Sequence, residues 1–258
     1  MAPEKHTVSL NGIQLHYQRT GHGEPLVLLH GFLGSGDTWS AILGGLDRFG
    51  QSYDLIVPDL RGHGGSTNPT GVFTMRQSAL DIFALLDELG IGRVRAIGMS
   101  GGGMTLLHMA TQQPDRVQAM GLISATSHFP AQARTLMRGT TEESQTEEMW
   151  TMMRGVHRHG DDQIRALWRV ARGFADSHDD MAFTAKTLAT ITAPTLIVHG
   201  DRDPFFPVDI AVSMHHAIPR SWLWVVPNGG HLSLVAEGLS DQFVATATAF
   251  LRGDWAAS

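Results

Sequence analysis

The chain has 258 residues, 42% hydrophobic and 17% charged, with a formal net charge of −6 and no cysteine. That balance suits a globular protein with a sizeable core and offers no basic patch for a nucleic-acid partner. Disulfides, thiolate metal sites and a cysteine nucleophile are excluded; no apolar run approaches the roughly 20 residues of a membrane helix, and the opening "MAPEKHTVSLNG" lacks a signal pattern, so the expected setting is cytoplasmic, with no membrane partner.

In chain order, "TVSLNGIQLHYQRTG" reads as two strands joined at Asn11-Gly12, a strong hairpin signal. "PLVLLHG" (25–31) is a continuous apolar run ending in glycine, as in a strand buried on both faces. "DTWSAILGGLDRF" reads as a helix opened by Asp37 as N-cap. "YDLIVPDL" (53–60) is another buried strand. "TMRQSALDIFALLDELG" is the clearest helix: Met75, Ala79, Ile82, Phe83, Leu86 and Leu89 share one face, and Gly90 stops it. "VRAIGM" (94–99) is a strand, followed by a helix from Gly101 to Gln113 that Pro114 halts. Strands at 117–125, 194–200 and 221–227 follow. A helix from Pro207 to Ala217 separates the last two, and "SDQFVATATAFLRG" is the last helix. Strands alternating with helices imply an α/β protein with a mostly parallel sheet.

The stretch from Thr126 to Thr192 breaks that rhythm. It shows no strand, only helical text such as "QIRALWRVARGF", and is too long for a loop. It reads as an inserted helical cap, dividing the chain into a core of 1–125 plus 193–258 and a lid of 126–192.

The densest chemical signal is "GMSGG", residues 98–102, which matches G-x-S-x-G between a strand and a helix. In that motif the serine occupies a sharp, strained turn. Glycines two before and two after leave room, and Gly101 and Gly103 let the helix approach the sheet. Ser100 thus stands beyond the C-terminal edge of the sheet, beside the positive end of a helix. A serine hydroxyl needs a base, and the base an orienting acid, in the chain order Ser, acid, His. "GDRDPFFP" offers Asp201 and Asp203; Asp203, further past the strand, is the choice for the acid, and Asp201 is read as bonding turn amides. "NGGH" supplies His231 on a late loop. His215 and His216 read as surface or packing residues, His108 and His199 as interior ones. An anionic transition state also needs backbone donors. Gly101 N–H is one, and Phe32 N–H, in "LHGFLGSG", the second, with His30 and Gly31 shaping that loop.

Taken together, "HGFLGSG", "DLRGHGGS" (59–66), "GMSGGG", "GDRDPFFP" and "NGGH" resemble the signature stretches of the α/β-hydrolase superfamily, over nearly the whole chain outside the cap. The resemblance implies an eight-stranded sheet with helices on both faces, Ser100 as nucleophile, His231 as base, Asp203 as acid and a helical cap over the pocket. It assigns "DLRGHGGS" a structural turn and no chemistry. Haloalkane dehalogenases and epoxide hydrolases of this fold carry an aspartate where Ser100 stands. The chain is similar to small esterases, cofactor-free perhydrolases and carbon–carbon bond hydrolases, and implies no cofactor and no metal.

The expected activity is that of a carboxylesterase-type serine hydrolase acting on small to medium apolar esters and water. Lactone opening, perhydrolysis, carbon–carbon cleavage and ligand sensing are the alternatives on the same fold. Met99, Phe129, Trp150, Met153 and Trp168 are candidates for the pocket wall, with docking of the cap as the competing role for such residues. "HRHGDD" (157–162) resembles the start of a metal-dependent lactonase motif but ends in Asp162 where that motif has histidine; it reads as a solvated loop. "TEESQTEE" reads as a solvated helix face. Oligomeric state is left open by the sequence.

Overall fold

Short, mostly apolar runs become the centre of a single eight-stranded sheet. The computed structural model describes residues 3–234 and 238–255, so both outer limits of the core range lie outside the described residues. The strands are β1 (Glu4–Leu10), β2 (Ile13–Gly21), β3 (Glu24–Leu29), β4 (Tyr53–Pro58), β5 (Val94–Met99), β6 (Val117–Ile123), β7 (Thr195–Gly200) and β8 (Ser221–Val226). Their order is β1-β2-β4-β3-β5-β6-β7-β8. The opening hairpin is antiparallel, with Leu10 opposite Ile13 across Asn11-Gly12, and β2 runs antiparallel to β4; every later pair is parallel. The central strands β3, β5, β6 and β7 are buried on both faces, which explains their lack of alternation. Each Leu, Ile or Val so buried contributes about 1.5–3 kcal/mol.

Helices cover both faces. On one side lie α3 (Met75–Glu88), α4 (Gly101–Gln112) and α9 (Val208–Ala217); on the other, α1 (Asp37–Leu43), α2 (Asp47–Gly50) and α10 (Leu239–Arg252). Helix α3 carries its own start and stop. Thr74 Oγ1 accepts from Gln77 N at 3.0 Å, and Gly90, at φ +68°, turns the chain so that Ile91 N–H reaches Leu86 O. Its buried Asp81 accepts two guanidinium bonds, both 2.8 Å, from Arg61 of the "DLRGHGGS" turn.

The helix expected over "DTWSAILGGLDRF" is in fact two. Gly44 (φ +72°) and Gly45 (φ +137°) leave the helical region and separate α1 from α2. Asp37 is the first helical residue, not the cap; its carboxylate accepts from Gln18 Nε2 and pairs with Arg158.

Between β6 and β7 the chain forms α5 (Ala131–Arg138), α6 (Glu147–Val156), α7 (Asp161–Gly173) and α8 (Ala185–Leu188). Several hydrogen bonds tie this segment to the rest. Asp180 accepts from Met75 N and Arg76 N, the first amides of α3, and His108 Nε2 donates to Asp180 O at 2.7 Å. Gln132 Nε2 donates to Pro204 O, and residues 157–163 bond the turn 62–66. Among the described residues no helix is long and apolar enough to cross a membrane.

Candidate active site

Ser100 links β5 to α4 at φ +49°, ψ −115°, a conformation L-residues avoid. The neighbouring glycines make it attainable. A Cβ on Gly98 stands 2.5 Å from the Gly102 carbonyl, one on Gly102 overlaps Leu29 O, and one on Gly103 lies 2.8 Å from Ala125 Cβ. The glycines two before and two after Ser100 therefore leave room as expected. Gly102 and Gly103 carry the close approach to the sheet, while Gly101 faces the loop after β3.

The loops after β7 and β8 bring the other two residues to Ser100. Its Oγ–H donates to His231 Nε2 at 3.0 Å. His231 Nδ1–H donates to Asp203 Oδ2 at 2.7 Å, the direction fixed because an ionised carboxylate only accepts. Asp203 Oδ1 accepts from Phe205 N at 2.8 Å and Phe206 N at 3.1 Å. Burial pushes the Asp203 carboxyl up, but the hydrogen bond and charge of His231 and the two amides outweigh it, leaving it below its ordinary value. The amide-bonding role expected of Asp201 thus falls to Asp203 itself; Asp201 lies exposed beside Arg202. His199 is fully buried under Asp203 and donates from Nε2 to Phe206 O at 2.8 Å. Asn228, at φ +55°, starts the turn that delivers His231.

Phe32 N lies 3.0 Å from where a Cβ on Gly101 stands, so the two amides adjoin. Among the described residues neither N–H has an acceptor. Phe32 and Leu33 are the middle of a turn closed by Gly34 N–H to Gly31 O at 3.0 Å, with Leu33 at φ +69°. His30 shapes this loop: Nδ1–H donates to Gly31 O and Nε2 accepts from Leu60 N.

The candidate wall residues divide. Phe129 joins an aromatic series, 6.5 Å from Phe206 and 5.5 Å from Phe174, which lies 4.8 Å from Phe32. Phe205 and Phe206 flank the His231 ring, and Phe73 packs edge-on against Phe32. Phe73, Phe205 and Phe206 escaped the sequence reading; the Phe-Phe pair beside Asp203 was the one available signal. Met153 and Trp168 are buried with Ile164 and Leu167 between α6 and α7, and Trp150 stands edge-on to Trp168 at 4.5 Å. These three pack the helices together, and their cluster also packs against Phe32 and Leu33. Met99 is buried in the core cluster with Ile97 and Ile123. "HRHGDD" is not a solvated loop throughout, because His157 is buried and bonds Gly64 N and Leu33 O.

A hydroxyl with a base on one side, an oriented acid behind the base and two free amides in front can attack a carbonyl carbon and hold the resulting oxyanion. Several known proteins that resemble the chain are consistent with that chemistry. A family model described as alpha/beta hydrolase fold matches residues 24–146. The human serine hydrolase BPHL is 29% identical over 231 residues, covering 87% of this chain and 79% of the relative. A pimeloyl-[acyl-carrier protein] methyl ester esterase of Nitrosomonas europaea is 27% identical over 257 residues, covering 89% and 96%. Among solved structures, Est816, described as an N-acyl homoserine lactone degrading enzyme, superimposes with a TM-score of 0.75 at 25% identity, covering 95% of this chain and 99% of that one. The chain has the α/β-hydrolase fold and is a serine hydrolase of that fold.

Proposed function

We propose that the chain hydrolyses carboxylic esters through an acyl-enzyme on Ser100. The observation that carries this reading is the unbroken relay from Ser100 Oγ to His231 Nε2 and from His231 Nδ1 to Asp203, at 3.0 and 2.7 Å. His231 Nε2 takes the Ser100 proton as Oγ attacks the ester carbonyl. The amides of Phe32 and Gly101 hold the oxyanion, each worth about 10²–10³ in rate. The alcohol leaves with the proton from His231. Water then attacks the acyl carbon, gives a proton to His231, and the carboxylic acid departs as Ser100 regains its hydrogen.

Residues 126–192 form the cap in this reading. The series Phe32, Phe174, Phe129 and Phe206 runs from the oxyanion loop to the acid loop and offers an apolar wall for the acyl or alcohol part. Small to medium apolar esters suit it. The likeness to an N-acyl homoserine lactone degrading enzyme favours one second reading, opening of a lactone, which is an internal ester cleaved by the same steps.

Hydrolysis of p-nitrophenyl esters from acetate to laurate, beside a lactone, tests both. Ser100→Ala is expected to lower turnover by about 10⁶, on the scale of a protease triad. Activity that survives the substitution overturns the assignment, and a lactone outrunning every open ester moves it to the second reading.

A further inference from the structure

We propose that His157, on the cap, is a positioning residue for the oxyanion amide of Phe32; this rests on the ester-hydrolase reading above. His157 closes the C-terminal end of α6, where its N–H donates to Met153 O at 2.8 Å. Its ring is 4% exposed and faces two parts of the body at once. Nδ1 accepts from Gly64 N–H at 2.9 Å. With Nδ1 occupied as an acceptor, the ring proton sits on Nε2, which donates to Leu33 O at 3.2 Å.

Leu33 is where such a donor matters. The turn Gly31–Gly34 requires a left-handed residue at its third position, a place that favours glycine, and leucine stands there at φ +69°. A left-handed L-residue costs about 1–2 kcal/mol and persists only where its surroundings over-determine it. Gly34 N–H to Gly31 O is one restraint and His157 Nε2–H to Leu33 O is another. The first middle residue of that turn is Phe32, whose amide adjoins Gly101.

The neighbouring hydrogen bonds of residues 158–163 end elsewhere. Arg158 N donates to Gly64 O, His159 Nε2 to Gly65 O, and Gln163 Nε2 to Gly62 O and Gly64 O. They hold residues 157–163 against the turn 62–66 and bond nothing in the oxyanion loop. Among the described residues, His157 alone of this group reaches it. The position of the Phe32 amide therefore depends on where α6 sits, and a cap that shifts away loosens the oxyanion hole.

Two substitutions separate the ring's two jobs. His157→Gln presents an amide N–H where Nε2 stood, keeping the Leu33 contact and losing the Gly64 one. His157→Asn places an oxygen where Nδ1 stood, keeping Gly64 and losing Leu33. Steady-state hydrolysis of p-nitrophenyl butyrate by wild type and both variants is compared with the affinity for phenylboronic acid, whose tetrahedral adduct on Ser100 needs the same amides.

His157→Asn is expected to lower kcat about 10–100-fold with KM within twofold, a fraction of what losing one donor outright costs. Phenylboronate affinity falls by a similar factor, and His157→Gln restores kcat to within about threefold. Equal losses in both variants, or a change in KM alone, overturn the proposal and leave His157 a structural clip. Unchanged kcat in His157→Asn, beside a dead Ser100→Ala, overturns it while sparing the ester-hydrolase reading; an active Ser100→Ala takes both down. The boronate arm involves no turnover, so it reads the proposal even where the ester is a poor substrate.

Discussion

Replacing Asp203 by asparagine keeps the shape of the acid and changes only what its two ends offer. The carboxylate makes three bonds as acceptor: Oδ1 from Phe205 N and Phe206 N, and Oδ2 from His231 Nδ1. Asparagine has one oxygen and one NH₂, so it must choose. With the oxygen towards His231, the NH₂ confronts two buried amides, and each unpaired donor costs about 1–3 kcal/mol. With the oxygen towards the amides, the only adjustment is at His231, whose ring proton moves from Nδ1 to Nε2. The second arrangement is favoured by two hydrogen bonds against one tautomer change. It leaves Nε2–H pointing at Ser100 Oγ, unable to take its proton. The corresponding substitution in a serine protease triad lowers kcat about 10⁴-fold, equivalent to ~5.5 kcal/mol of barrier. The same loss is expected here, measured as kcat on p-nitrophenyl esters, with little change in thermal midpoint. Asp203→Ala leaves both amides unpaired and is expected to lower the midpoint as well. An Asp203→Asn variant that keeps more than about a tenth of wild-type kcat refutes the tautomer argument.

Gly102→Ala sets a methyl group into Leu29 O and within 2.7 Å of His30 O, backbone that cannot step aside; a loss of about 3 kcal/mol, the upper range for overpacking, is expected in urea unfolding, with Gly92→Ala, where a Cβ meets nothing, as the control. Acid weakens the fold in a calculable window. Burial, then the neighbouring His30, lowers the His157 pKa from 6.5 to about 4, so the unfolded chain binds a proton that the native ring refuses. The His157 contribution is full above pH 6.5 and falls by about 3 kcal/mol as pH drops to 4. Urea melts across that range are expected to show a shallower fall in His157→Gln; identical slopes contradict it. Asp203 acts in the same sense further down, its contribution being lost as pH falls through its lowered folded value.

The sheet was legible in the sequence because its central strands are short, mostly apolar runs, and the relay because each member follows such a run at a glycine-containing exit. Ser100, Asp203 and His231 stand 103 and 28 residues apart in sequence, yet strand order alone brings their loops to one edge. What escaped depends on contacts between distant segments. Nothing local to Phe73 announces Phe32, and nothing in "HRHGDD" announces Leu33. The break between α1 and α2 was written in Gly44-Gly45, but an apolar helical period on both sides masked it. Trp150, Met153 and Trp168 were visible as apolar mass; whether such mass faces a ligand or a neighbouring helix is set by packing, which periodicity does not encode.

Among the described residues, the non-glycine residues with positive φ that follow the parallel strands share one rim of the molecule: Leu33 after β3, Ser100 after β5, Ser124 after β6 and Asn228 after β8. Each holds about 1–3 kcal/mol of strain, the mildest at asparagine, and together they rival the 5–15 kcal/mol that keeps an ordinary domain folded. The rigid body of the sheet and the tensed rim are thus separate territories. A chain selected only for durability relaxes the rim first, and with it the posture of the serine, so in this protein durability and turnover draw on the same few residues and pull them in opposite directions.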